Sequence, residues 1–474
     1  MLSRLAALVL IVASPALGQL SSGSPVSVTP PAGTAPVRWP DVAFSSVDDV
    51  FLAVSGAGNL QGQYFSASGS ALGAPFAVNA APVYGQAPRV AYSAGLNAFL
   101  VTWHQSIGNT GTRIQGRIIR YGQAALTADL DISPLGTNWE MGATVAWSST
   151  SNEFLIAWQD GATFIRAQRV SSTGALLGGV ITLEAGPYER DPSIAYDRDT
   201  DRFLVAYAGC VGNIDCFVHA QRVQAGTGAL VGTPIVLEAS VRAGYIPELA
   251  YNALSQRFLA VWFRIDPSGN GLYARTIDAN GATGPSIPVS TVGSYDANSV
   301  AWNPISNTFV VVTHGSNAQD LVVELSSAGQ PVGGTVSFGA PGAAGNFNPR
   351  VASSTLSADW LGVTSSAFGS LTAQLITSLT RDSGDAGVDA GTPEMDAGTP
   401  QLDAGTPEMD AGLPSGDAGA GDAGVRPATD AGVAADGGVG SAAVGSCGCG
   451  FGASPGLYCL LAWAVWFSSR RRVN

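Results

Sequence analysis

The sequence predicts an all-β protein, a seven-bladed β-propeller of four-stranded blades over residues 19–380, and three observations predict it. One phrase recurs seven times: an apolar pair ending in alanine, usually an aromatic residue next, a polar turn, then an aromatic followed by apolar residues. The alanine stands eight residues before the second aromatic in all seven copies, so each copy is a hairpin of fixed length. Successive alanines lie 48, 55, 49, 55, 51 and 51 residues apart, close to the about 40–50 residues of a propeller blade.

The copies read Val42-Ala43-Phe44 with Phe51, Val90-Ala91-Tyr92 with Phe99, Val145-Ala146-Trp147 with Phe154, and Ile194-Ala195-Tyr196 with Phe203. They continue as Leu249-Ala250-Tyr251 with Phe258, Val300-Ala301-Trp302 with Phe309, and Val351-Ala352-Ser353 with Trp360. Each yields four strands. Strand a carries the Val-Ala-aromatic triplet, strand b the run at 99–103, 154–158 and 258–262, strand c the Ala-Gln-Arg-Val phrase at 165–170 and 218–223, and strand d the segments 180–183 and 234–237. β-Branched and aromatic residues fill the strands and Ser, Asn, Asp and Gly fill the gaps, the signature of short strands joined by turns. The continuous apolar runs of strand b predict burial on both faces, as in a sheet packed between two others. The unit resembles repeats found in secreted bacterial propellers. A linear β-solenoid is the alternative; it needs atypical capping repeats at its ends, and no copy has that character.

The seventh copy has strands a (350–353), b (360–364) and c (371–376) but no strand d before the composition changes. Gly23-Ser24-Pro25-Val26-Ser27-Val28 near the N-terminus reads like the strand d segment Gly284-Pro285-Ser286-Ile287-Pro288-Val289. Residues 25–28 are therefore expected to complete the last blade and close the ring.

Strands alternate direction, so the b–c and d–a connections share one side of the ring. Its d–a loops are expected to hold Trp39, Tyr84, Trp139, Tyr188, Tyr245, Tyr295 and Phe347, one aromatic per blade, with Arg38, Glu140, Glu189, Arg190, Arg242 and Asp296 nearby. Such a ring stacks on sugar or peptide ligands, or plugs the gaps between blades. An enzyme on this scaffold, a polysaccharide lyase or hydrolase, would draw its acid and base from Asp160, Glu140, Glu189, Asp191 and Asp296. Without a stronger catalytic signal the expected role is a non-enzymatic binding or adhesion module for an extracellular glycan or protein, with a structural coat protein as a further alternative.

No catalytic motif rises above this. There is no Gly-x-Ser-x-Gly elbow, phosphate loop or paired zinc motif. His104, His219 and His314 fall in three separate blades, which does not suit three converging metal ligands. Asp197-Arg198-Asp199-Thr200-Asp201 imitates the start of a calcium loop, but Ala208 stands where the bidentate Glu belongs. No metal and no cofactor are expected. Cys210 and Cys216 flank a five-residue b–c loop, and in an exported chain a disulfide is the default reading.

Charge divides the chain. The net charge is −13, all 22 basic residues are arginine, and so acidic a protein does not suit a phosphate backbone. Residues 381–446 hold 12 acidic and 2 basic residues, whereas 19–380 hold 23 and 16, so the stalk is acidic and the propeller only mildly so. Asp-Ala-Gly recurs eight times between Asp385 and Asp430. With almost nothing apolar to bury, this segment is expected to be a disordered, extended spacer. Calcium chelation is the alternative reading, disfavoured because the carboxylates do not converge.

The two ends predict export. Residues 1–18 carry Arg4, an apolar run at 5–13, Pro15 and the small pair Ala16 and Gly18, a secretory signal peptide cut between Gly18 and Gln19. Residues 451–469 are apolar and stop at Arg470-Arg471-Arg472, a short transmembrane helix with a positive stop. Just before it stands Gly445-Ser446-Cys447-Gly448-Cys449-Gly450. The order of cysteine motif, apolar helix and arginine cluster over residues 447–474 resembles the MYXO-CTERM sorting signal of myxobacterial surface proteins. The resemblance implies a sorting protease that removes the helix, a lipid on Cys447 or Cys449, and an outer-membrane, cell-surface location. A permanent single-span anchor is the alternative.

Overall fold

The structure is a computed structural model. It describes residues 20–29 and 38–379, less 81–84, 108–110, 124, 135–138, 187–188, 212–214, 242, 266–269, 292–297, 316–319, 340–345 and 367–368. The chain divides into two units, Met1–Ala386 and Gly387–Asn474. The expected signal peptide, stalk and sorting segment lie outside the described residues.

Seven antiparallel sheets, six of them running strand a to strand d in chain order, together form a seven-bladed β-propeller. The innermost strands a are Asp41–Ser45, Gly85–Ser93, Glu140–Ser148, Arg190–Asp197, Ala243–Asn252, Asn298–Asn303 and Asn346–Ser353. Each touches the next, and the seventh touches the first, so the ring is closed at its centre. A short strand from the first blade's b–c loop, Ala57–Gly58, adds to the inner edge of the second blade.

The core follows from the composition of strand b. In blade 1 Phe51 and Ala53 face blade 7, packing on Ala352, Leu361 and Val363, while Leu52 and Val54 face blade 2, packing on Phe99 and Val101. Alternate residues of one strand thus enter two different junctions, and the whole of Val50–Ser55 is buried. The described apolar core accordingly falls into seven clusters, one per junction. Burying two or three such strands at every junction, at about 25 cal/mol per Å² of apolar surface, is the main stabilising term.

The last blade is completed by the N-terminal segment. Val26–Val28 pairs with Leu371–Ala373, and Leu20–Ser22, which the sequence pattern did not single out, pairs with Ile376–Ser378. Between them the Gly23 amide donates to the Leu375 carbonyl at 2.9 Å and the Gln374 side chain to the Gly23 carbonyl at 2.8 Å. The same glutamine contact recurs where a blade's own strand d bulges: Gln63 onto the Leu72 carbonyl at 3.0 Å, Gln168 onto Leu177 at 3.1 Å and Gln221 onto Val231 at 3.3 Å. The N-terminal segment therefore reproduces the bulge of strand d as well as its pairing.

Candidate functional site

Strand a builds the axis. The residue before each Val-Ala pair is polar in all seven copies: Asp41, Arg89, Thr144, Ser193, Glu248, Ser299 and Arg350. These residues meet across blades. Arg89 lies 4.0 Å from Asp41 and 3.9 Å from Glu248, Arg350 pairs with Glu248, and the Ser193 hydroxyl donates to Glu248 at 3.1 Å. Burial pushes the Asp41 carboxyl up, opposed by the Arg89 and Arg350 charges. Burial pulls the Arg89 guanidinium down, with Arg350 adding to it.

A bulge precedes this position. Trp39, Ala87, Gly142, Asp191, Ile246 and Asn348 all have φ between 47° and 63°, and all but Gly142 are followed by proline. For the non-glycine residues a left-handed backbone costs about 1–2 kcal/mol, and its recurrence around the ring marks it as part of the blade design. It turns the chain onto the axis. Motif searching missed this polar register; its signal is the Pro-polar-apolar-Ala phrase, which stands beside the aromatics.

On the b–c and d–a side, four of the seven expected aromatics, Trp39, Trp139, Tyr245 and Phe347, fall among the described residues. Trp139 is 47% exposed and Met141 beside it 39%. Trp39 is half-buried next to an exposed Arg38. Tyr245 and Phe347 are not in loops but in the long inner strands, paired with Phe263 and Ser365. Tyr84, Tyr188, Tyr295, Arg242 and Asp296 lie outside the described residues.

The carboxylates of this side are covered. Glu140, 3% exposed, stands directly across the strand pair from Asp160, 5% exposed. The Ser133 hydroxyl donates to Glu140, and Arg166 Nε lies 2.5 Å from Asp160. Burial, with the Asp160 charge adding, pushes Glu140 up to about 7 despite the Ser133 bond. Glu189, 1% exposed, is pushed up to about 8 by burial and then by Glu184. Glu184 in turn accepts the Tyr207 hydroxyl at 3.0 Å. Asp191 is half-buried. A carboxyl raised in this way can act as a general acid where a substrate reaches it.

Cys210 and Cys216 form a disulfide between directly opposed residues of strands b and c in blade 4, and Arg190 Nη2 lies 2.7 Å from Cys210 Sγ. The histidines stay apart. His104 is pulled down to about 4 by burial, and His314 Nδ1 lies 2.9 Å from Asp320. Among the described residues no group of three His, Cys, Asp or Glu side chains could hold a metal ion. The aspartate-rich turn is structural: Asp197 Oδ1 accepts the Asp199 amide at 2.9 Å, and Asp201 accepts the Ser148 and Ser151 hydroxyls of blade 3 at 2.7 and 2.6 Å.

No protein-family model matches the chain, and no curated protein sequence does. Among solved structures it is similar to the BP39L lectin of Burkholderia pseudomallei, at 14% identity over 72% of this chain and 96% of that one, with a TM-score of 0.57. That likeness shows the propeller fold. Two further structures align more loosely. The β-propeller domain of Myceliophteria thermophila Cps50 (Swd1) matches at 10% identity over 75% and 99% of the two chains, with a TM-score of 0.46. An α-L-arabinofuranosidase from Lactobacillus brevis matches at 12% over 54% and 95%, with a TM-score of 0.36.

Proposed function

We propose that the chain is an exported, surface-anchored binding module whose propeller holds an extracellular glycan or protein on its b–c and d–a side. One observation carries this reading: on that side Trp139 is open to solvent, whereas Glu140, Asp160 and Glu189 are each 5% exposed or less. A binder needs exposed aromatic surface. A glycosidase needs two carboxyl groups about 5–10 Å apart flanking the sugar bond, both reaching it.

A glycan and protein array probed with the full chain tests it. Binding that falls about tenfold in Trp139→Ala is expected, with no release of reducing sugar. The second reading, a lyase or hydrolase, is favoured by the opposed carboxyls of Glu140 and Asp160. Turnover of any bound glycan that Glu140→Gln abolishes would establish it and sink the first.

Surface display rests on the sequence of the two ends. Cleavage at Gly18-Gln19, and processing at Cys447 or Cys449 by a sorting protease, leave a lipid-anchored chain on the outer membrane with residues 381–446 as tether. Mass spectrometry of the exported protein checks this. An intact Arg470-Arg471-Arg472 tail rules out processing and leaves the permanent span.

A further inference from the structure

A cavity of about 770 Å³ opens on the rim between the outer strands of blade 1 and the c–d turn of blade 2. Three aromatic rings meet there. Tyr64 stacks on Phe76, with centroids 5.2 Å apart and planes at 19°, and meets Tyr121 edge-on at 4.8 Å. Phe76 and Tyr121 are half-buried, so part of each ring remains free.

The repeat itself shows that this junction differs from its equivalents. Register places Tyr64 where blades 3 and 4 have Arg169 and Arg222. Those arginines close their gaps, Arg169 onto the Gly226 carbonyl at 2.5 Å and Arg222 onto the Ala279 carbonyl at 3.1 Å. Phe76 stands where blades 3, 4 and 5 have Ile181, Ile235 and Ile287. Its larger ring fits because Gly62 stands opposite, where those blades have alanine; a Cβ at Gly62 would come within 2.4 Å of the Phe76 ring.

Tyr121 occupies a turn position held by Ala67, Ser172, Ala279 and Ser327 in blades 1, 3, 5 and 6. The turn glycines Gly69, Gly174, Gly228, Gly281 and Gly329 sit so close to the preceding blade that an added Cβ would touch it at 2.8–3.3 Å. In blade 2 that turn position is held by Gln123, whose amide donates to the Arg120 carbonyl at 3.2 Å as the glycine amides do in their own turns. Substitutions at three separate positions of the repeat thus converge to line one junction with rings.

The lining specifies the ligand's chemistry. It carries no charged side chain, so an ionised ligand would lose its hydration without a counter-charge. Its volume lies in the range that takes a small molecule. Besides the rings it offers the Gln123 side chain and the backbone of Gly73 and Gly122, and the Tyr64 hydroxyl is buried without a hydrogen-bond partner. Apolar ring faces with polar groups at their edges match a pyranose, which presents C–H faces and hydroxyl edges.

We propose that the cleft between blades 1 and 2 binds a neutral pyranose ring of a glycan, stacked on Tyr121 and Phe76. This site lies on the other side of the ring from Trp139 and does not depend on it.

The full chain is titrated with neutral oligosaccharides, namely maltotriose, mannotriose, galactotriose and chitotriose, with trigalacturonate as the acidic comparator and a proline-rich peptide as the apolar one, read by calorimetry and saturation-transfer NMR. At least one neutral sugar is expected to bind. Tyr121→Ser, which restores the residue of blades 3 and 6, should weaken it at least tenfold at unchanged melting temperature, and Phe76→Ile should do the same. Trp139→Ala should leave this binding unchanged, which separates it from binding on the opposite side. The proposal is overturned if no neutral sugar binds, if binding survives Tyr121→Ser, or if only trigalacturonate or the peptide occupies the cleft.

Discussion

The inner and outer edges of the blades are built on opposite plans. At the inner edge, partners are shared around the axis: Glu248 of blade 5 holds Arg350 of blade 7 and approaches Arg89 of blade 2. At the outer edge contacts join neighbours only, Arg169 to Gly226 or Arg222 to Ala279. A change at the axis is therefore felt by the whole ring, whereas a change at the rim is felt by one junction. That is why the rim is where a single blade pair can depart from the pattern and acquire a cleft.

Four measurements bear on this contrast. The largest effect belongs to the rim contact that would break it, the N-terminal closure. Deleting residues 20–28 removes Leu20, Val26 and Val28 from the core and uncovers the last strand. At about 1.5–3 kcal/mol per buried apolar side chain, a loss of about 5 kcal/mol is expected in chemical denaturation. A loss under about 1 kcal/mol would mean the ring holds without its closure.

Next comes Arg350→Ala. It strands a largely buried Glu248 carboxylate, and removing one partner of such a pair costs about 3–5 kcal/mol. Arg89 and Ser193 remain beside Glu248, so the low end is expected. Because the contact spans blades, unfolding should stay a single transition; a separate early transition for blade 7 would contradict shared closure.

The disulfide serves as an internal control, since it lies within one blade. Replacing Cys210 and Cys216 by serine reopens a loop of separation 6, worth about 2 kcal/mol in the chain-entropy estimate. A larger loss would indicate that it braces more than its own loop.

The smallest effect sharpens the picture of the junction between blades 3 and 4. The Glu189 carboxyl is raised from 4.5 to about 8 in the folded chain, so between those values the native state holds a proton that the unfolded state releases. Its contribution to stability is complete below about pH 4.5 and is lost as pH rises towards 8, with a slope of up to about 1.4 kcal/mol per pH unit. Denaturation midpoints at pH 6 and 7 measure it, and Glu189→Gln should flatten the difference.

The ring was legible in the sequence because its signal is local and repeated. The eight-residue offset between Ala43 and Phe51 recurs in every blade, and it marks a hairpin that needs no knowledge of the rest. The N-terminal strand was half legible: Pro25 and the alternating valines mark it, but Leu20–Ser22 is too short and polar to stand out. The axis was hidden because Arg89 and Glu248 lie far apart in sequence and only the closed ring brings them within 3.9 Å. The rim cleft was hidden for another reason. Tyr64, Phe76 and Tyr121 each look like ordinary strand or turn residues, and only register shows that they replace arginine, isoleucine and serine in the same gap.

The closure of the last blade also sets an order in time. Gly23 and Gln374 are 351 residues apart, so the first strand to be synthesised waits for almost the whole repeat array before its partner exists. Joining two such points on an unstructured chain costs roughly 5 kcal/mol of entropy, a cost that falls as each stacked blade brings the ends nearer. Until that joint is made, the outer edge of Leu371–Ser378 is an unpaired strand. In a crowded chain population, that interval is when the N-terminal segment of one molecule can close the ring of another.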